Sequence, residues 1–145
     1  GEDIKDITGS DHVSHYWWLT DNEILLYCTD LKHGLGYHIY NKSGKHIKHL
    51  KKNIPNLDGH PCSNGFPWFI CDNLVNKHFE RNLWFYNIEK EQRTMLAQFY
   101  SPPKFSGPNR CDLHPRLSQD SHLVAVDSAH EGFRQIVVLD ISRFL

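Results

Sequence analysis

The 145-residue chain lacks most of the signals that would place it quickly. It has no basic excess: the net charge is -1 and the pI near 6.9, which argues against a nucleic-acid or anionic-membrane surface as partner. No apolar run approaches the roughly 20 residues of a membrane span. The opening Gly1-Glu2-Asp3 has none of the character of a signal peptide. The four cysteines, at 28, 62, 71 and 111, include no Cys-x-x-Cys pair, which argues against a structural zinc knot. Free buried thiols are the simpler expectation, and they favour a reducing, cytoplasmic compartment. A Gly-x-Ser-x-Gly elbow, a phosphate-cradling glycine loop and a His-Glu-x-x-His helix are all missing. Carboxylate pairs for glycoside hydrolysis cannot be picked out by pattern. No stretch has the pattern of a helix longer than two turns.

What the chain does have is 11 histidines, 12% aromatic residues and a threefold internal pattern. The clearest copy lies between Arg110 and Asp140, with strand candidates at 115–117, 123–126 and 135–139. Each is aliphatic or β-branched, and each is cut off by Ser, Asp, Gly or Glu. Upstream, strands at 16–19, 24–28 and 37–40 follow His15, and strands at 61–63, 67–71 and 83–86 follow His60. From the leading histidine to the end of the third strand the distances are 25, 26 and 25 residues. Fourth strands are expected at 45–50 and 93–99, and the third copy stops without one. A short apolar alternation at 4–7 reads as an outer strand or linker, and the connection 53–59 separates the first two copies.

These spacings predict an all-β fold, a partial β-propeller of about three four-stranded blades, at about 14–52, 53–100 and 101–145, with 1–13 as linker or outer strand. An evenly spaced β-sandwich is the competing arrangement. Three blades form an open arc with two raw edges, which calls for further blades or for self-association. The strand at 4–7 of one copy could complete the last blade of another. Trp17, Trp18, Trp68 and Trp84 fall on strands and read as blade-packing core, and Cys28 and Cys71 as small apolar residues between blades.

In such an arc the loops entering each inner strand share one face with the loops joining second to third strands. That face would collect His12, His15, Asp58, His60, Arg110, Asp112 and His114, together with His33, His78, Arg81, His130 and Glu131. Three histidines at equivalent positions, His15, His60 and His114, suit a divalent metal. A histidine before proline can equally cap a strand start. Individually, His33, His78 and His130 read more simply as solvated loop residues.

At these residues a family resemblance appears. The stretches Asp58-Gly59-His60-Pro61, Arg110-Cys111-Asp112-Leu113-His114-Pro115-Arg116 and Asp127-Ser128-Ala129-His130-Glu131-Gly132, with Gln135, resemble the C-terminal part of a bacterial propeller family. Its members are similar to oligogalacturonate lyase and to the propeller of the Tol translocation protein. The resemblance implies an acidic, uronate-containing polysaccharide or oligosaccharide as substrate or ligand, and metal-assisted β-elimination as the reaction. It also implies a divalent ion, Mn or Zn, on His60 and His114 with His15 as a third ligand. Arg110 and Arg116 would neutralise the uronate, and Asp58, Asp112, His130, Glu131 and Arg81 would line the sugar site. Arg116 stands where the lyase pattern has the second histidine of a His-Pro-His. A non-catalytic propeller binding glycan or protein on the same face is the alternative.

Overall fold

The structure, a computed structural model, describes residues 4–10, 12–54, 57–65 and 67–145. Residues 1–3 and 11, and 55–56 of the expected inter-blade connection, lie outside them. Among the described residues eleven strands run in chain order: β1 (Val13–Trp18), β2 (Glu23–Asp30), β3 (Gly34–Asn41), β4 (His46–Leu50), β5 (Pro61–Cys62), β6 (Trp68–Asp72), β7 (Glu80–Asn87), β8 (Gln92–Tyr100), β9 (Arg116–Leu117), β10 (Leu123–Ser128) and β11 (Gln135–Asp140). They form three antiparallel meanders, β1–β4, β5–β8 and β9–β11, each pairing only neighbours in sequence. The expected all-β propeller arc is what the chain forms. Among the described residues the helical segments are single 3-10 turns at Gly107–Asn109 and Ser142–Phe144, and no helix is long and apolar enough to cross a membrane.

The period of two along each central strand explains how the blades stack. In β6, Phe69 and Cys71 pack toward the first blade while Trp68 and Ile70 pack toward the third; in β7, Trp84 and Tyr86 alternate with Leu83 and Phe85 in the same way. Leu25, Tyr27, Tyr37 and Ile39 of the first blade complete one inter-blade core. Leu113, Val124, Val126 and Ile141 of the third complete the other. Strands buried on both faces read as continuous apolar runs, and β6 is buried at every position. A further cluster, Ile24, Leu26, Cys28 and Tyr40, covers the face of the first blade turned away from the second.

The turns follow local chemistry. Asn41 accepts the amides of Ser43 and Lys45 through its side chain, and Gly44 takes φ 88° beside it. Gly59 is required for a different reason: a Cβ there would lie 2.0 Å from the Asp72 carbonyl oxygen. Only glycine lets the second entry loop lie this close to the end of β6.

Several expectations are corrected. Residues 4–7 form no strand; Asp6 Oδ1 accepts the amides of Thr8 and Gly9 in an Asx turn, and Ile7 lies on the outer cluster of the first blade. Trp68 and Trp84 are core, but Trp17 and Trp18 are 39% and 49% exposed. The neighbouring inner strand β5 has two residues against the six of β1, too few to cover them. Trp17 instead donates its indole N–H to the Ser63 carbonyl, at 2.7 Å. Cys71 does lie between blades, whereas Cys28 is on the outer cluster. All four cysteines are free and buried.

Candidate functional site

The three leading histidines meet. Ring centroids of His15 and His60 are 4.2 Å apart, and those of His60 and His114 are 4.0 Å apart, so the entry loops of successive blades place one continuous row of imidazoles. Each is aimed by a different device. His15 lies in β1 at a register irregularity between Val13 and Tyr16, and such a bulge turns side chains out of the regular alternation. His60 precedes the two-residue β5. His114 has φ 42°, a left-handed conformation that costs a non-glycine residue about 1–3 kcal/mol. Its amide is held by Asp72 Oδ2 at 3.1 Å, and the preceding Leu113 carbonyl accepts the Asp127 amide.

Carboxylates orient the row. Asp58 accepts His15 Nδ1 at 2.8 Å and the Ser14 hydroxyl at 2.5 Å. Asp72, almost wholly buried, accepts both the His60 amide (2.7 Å) and His60 Nδ1 (3.0 Å) while also holding His114. With Nδ1 committed to a carboxylate, Nε2 is the nitrogen left to His15 and His60 for other work. Asp127 stands 3.8 Å from His114 Nδ1, beyond hydrogen-bond reach, and accepts Arg116 at 3.2 Å. Asp72 escaped the sequence reading, although a signal existed: Asp30, Asp72 and Asp127 end the second strand of each repeat or stand one residue before its end.

The two central rings are pushed in opposite directions. Burial disfavours charge on His60, but the hydrogen bonds and charge of Asp72 outweigh it and raise its pKa above the ordinary value. Burial lowers that of His114, and the neighbouring His60 lowers it further. Of the two rings, His60 is therefore the one that holds a proton more readily.

Arg81 was expected on the sugar-facing rim. It is 3% exposed at the start of β7, and its Nη2 lies 2.8 Å from Asp112 Oδ1. The contact is close but off hydrogen-bond alignment, and Arg81 Nη1 has no partner. Arg110 holds the other carboxylate oxygen at 2.6 Å. Burial opposes ionisation of Asp112, and these two guanidiniums more than offset it. Arg81 is thus a positioning residue that ties the second blade to the third entry loop.

A cleft of about 300 Å³ opens beside the row, lined by Arg110, Asp112, His114, Asp127, Arg134 and Gln135 among others. Arg110 and Arg116 keep mostly exposed side chains. His130 bonds Ser128 and Gln135 and rests against Phe99, outside the row. His12, His78 and Glu131 are exposed, and His33 belongs to a separate histidine cluster on the first blade. For a metal, the donor atoms that gather within 4.8 Å are those of His60, Asp112 and His114, without His15. Two imidazoles and a carboxylate are a suitable set for Mn or Zn, although both oxygens of Asp112 are already engaged by arginine.

Three antiparallel four- or three-stranded blades with a polar row at the mouth of their inner strands define a β-propeller arc. The fold is that of the Tol-type propellers: the structure of a putative TolB from Agrobacterium tumefaciens superimposes with a TM-score of 0.57 at 16% identity, over 83% of this chain and 39% of that one. A structural-genomics protein of unknown function from Bacteroides thetaiotaomicron does so with a TM-score of 0.54 at 11% identity, over 94% of this chain and 34% of that one. The chain thus spans well under half the length of either. No family model and no curated protein matches the sequence. At these identities the likeness establishes the fold alone.

Proposed function

We propose that the cleft beside His60 and His114 binds the carboxylate of an acidic, uronate-containing saccharide and supports its β-elimination. The observation that carries this reading is the contact between two imidazoles whose pKa values are displaced in opposite directions, beside a cleft bordered by exposed guanidiniums. Elimination across a uronate needs three things: neutralisation of the carboxylate, a base for the C5 proton, and an acid for the leaving oxygen. Arg110 and Arg116 match the first in type and exposure, the neutral His114 the second, and the protonated His60 the third. Asp72 would keep His60 oriented, and Asp58 and Asp112 would hold the rim of the site together. His130, which contacts Gln135 of the cleft, and the exposed Glu131 would meet outlying sugar units.

In an alternative arrangement, a divalent ion, Mn or Zn, held by His60, His114 and Asp112 with His15 alongside, would supply Lewis-acid neutralisation of the same carboxylate, and the two imidazoles would then serve as ligands instead of as acid and base. Its binding would require Asp112 to give up a guanidinium contact.

A second reading, a non-catalytic glycan-binding arc, is favoured by Tyr16, Trp17 and Trp18. These consecutive aromatics on β1 are all exposed, beginning one residue past His15, and flat aromatic faces are suited to stacking on sugar rings. One experiment addresses both. The purified protein is incubated with a panel of uronate polymers, with and without added Mn²⁺, while ultraviolet absorbance of the unsaturated product and binding by calorimetry are followed in parallel. Turnover that falls by about 10²-fold or more in His114→Ala supports the catalytic reading. Binding without turnover supports the second, and neither binding nor turnover overturns both.

The open faces of the arc, one bearing Ile136 and Val138 at 69% and 59% exposure, are read as docking faces for further blades or a second copy.

A further inference from the structure

The first blade carries a second concentration of histidine that the row at the cleft does not use. His38 and Tyr40 share the outward face of β3, and His49 stands opposite His38 on β4, with His46 opposite Tyr40. Asp30 closes β2 in the same parity as Ile24, Leu26 and Cys28, the outer apolar cluster. His33 reaches over from the β2–β3 turn. The rings of His33 and His46 stack at 4.2 Å with 12° between planes, and those of His38 and His49 at 4.0 Å.

The hydrogen bonds define the tautomers. His38 Nε2 donates to the Gly34 carbonyl at 2.9 Å, so its Nδ1 is an acceptor. That nitrogen lies 3.1 Å from His46 Nε2, which must be the donor. A neutral His46 then keeps its lone pair on Nδ1. The Tyr40 hydroxyl donates to Asp30 Oδ2, and Asp30 Oδ1 accepts the Lys32 and His33 amides and contacts His33 Nδ1 at 2.7 Å.

Burial opposes the charge on Asp30, but the Tyr40 hydroxyl and the backbone amides more than offset it and hold its pKa well below the usual carboxylate range. Burial lowers the pKa values of His38 and His46 and brings His49 down to about 4. His49 Nδ1 is buried with no hydrogen-bond partner. Plain packing on the outer cluster calls for none of this polarity.

We propose that Asp30, His33 and His46 form a divalent-metal site, distinct from the His60–His114 row and suited to Zn²⁺. One donor atom from each lies within 4.8 Å of the other two, the reach a single ion spans. Two imidazoles and a carboxylate, with positions left for water or a further ligand, match the nitrogen-and-oxygen preference of zinc. Tyr40 and His38 are the outer residues: one fixes the carboxylate of Asp30, and the other accepts the second ring nitrogen of His46.

The test is metal binding by the chelator-stripped whole chain, read as Zn²⁺ calorimetry and as Co²⁺ visible absorption. Retention of an ion by the His60→Ala/His114→Ala double variant, and its loss in His33→Ala and His46→Ala, is the expected result. Tyr40→Phe should weaken binding by about 10–100-fold, and His49→Gln should leave it unchanged. Loss of all binding in the His60/His114 variant, or binding indifferent to His33, would overturn the proposal. His33 lies in a half-exposed turn, so its variant decides the matter even if His46→Ala fails to fold. Circular dichroism of each stripped variant checks folding.

Discussion

Removing Arg81 probes the joint between the second and third blades more directly than any other single change. Its side chain is 4% exposed and that of Asp112 is 3% exposed, with 2.8 Å between the charged atoms. Breaking a buried pair by taking one partner away costs about 3–5 kcal/mol, because the remaining charge stays desolvated. Asp112 keeps Arg110 at 2.6 Å, but that guanidinium is 62% exposed and screened by water. The expected loss for Arg81→Met is therefore about 3 kcal/mol, the low end of the range. It is a large share of the ~5–15 kcal/mol that holds a domain folded. Arg110→Met should cost under about 1 kcal/mol, as an exposed partner does. In the double variant Arg81→Met/Asp112→Leu no uncompensated charge remains, and most of the loss should return. Urea denaturation followed by tryptophan fluorescence measures all three, with the slope checked for a change of denatured state. A single-variant loss below about 1 kcal/mol, or a double variant no better than the single, would refute the reasoning.

Further outcomes follow from particular contacts. Gly59→Ala places a methyl 2.0 Å from the Asp72 carbonyl and 3.0 Å from Cys71 Sγ, so the entry loop must shift. The expected cost is about 1–3 kcal/mol by melting, with an altered His60 imidazole signal in NMR; an unchanged variant would show that the loop has slack. The four cysteines should resist iodoacetamide at mildly alkaline pH, since burial raises every thiol pKa, that of Cys28 to about 11 and that of Cys71 well above its ordinary value. All four should react once denaturant is added, and rapid labelling of any one in the folded chain would contradict the packing around it. If a second copy covers the exposed β11 face, light scattering at micromolar concentration should detect a dimer that Val138→Lys disperses. A monodisperse wild-type monomer would exclude that pairing.

The sequence alone determined the architecture because propeller blades are local objects. Each meander pairs strands adjacent in the chain, so the alternation in β2, β6 and β7 and the turn residues between them carry their full instruction within about 40 residues. It also determined which histidines lead the inner strands, for the same reason of period. Errors fell where a residue's neighbour comes from another blade. Trp17 and Trp18 read as core by composition, and only the brevity of β5 leaves them exposed. Residues 4–7 alternate like a strand, yet Asp6 turns the chain at Thr8 and Gly9, and Ile7 packs on the outer cluster instead.

Tertiary structure alone decided the chemistry of the site. Asp72 and His114 are 42 residues apart, and Arg81 and Asp112 meet across a blade joint, so no local pattern could show that one carboxylate holds two entry loops or that a rim arginine is buried. The divergence of the His60 and His114 pKa values has the same origin: it depends on what burial and the nearest charge do to each ring, and both are set by how the blades stack. The Asp30, His33 and His46 cluster arises because antiparallel pairing folds β2, β3 and β4 back on one another, and residues spaced irregularly along the chain then share one face.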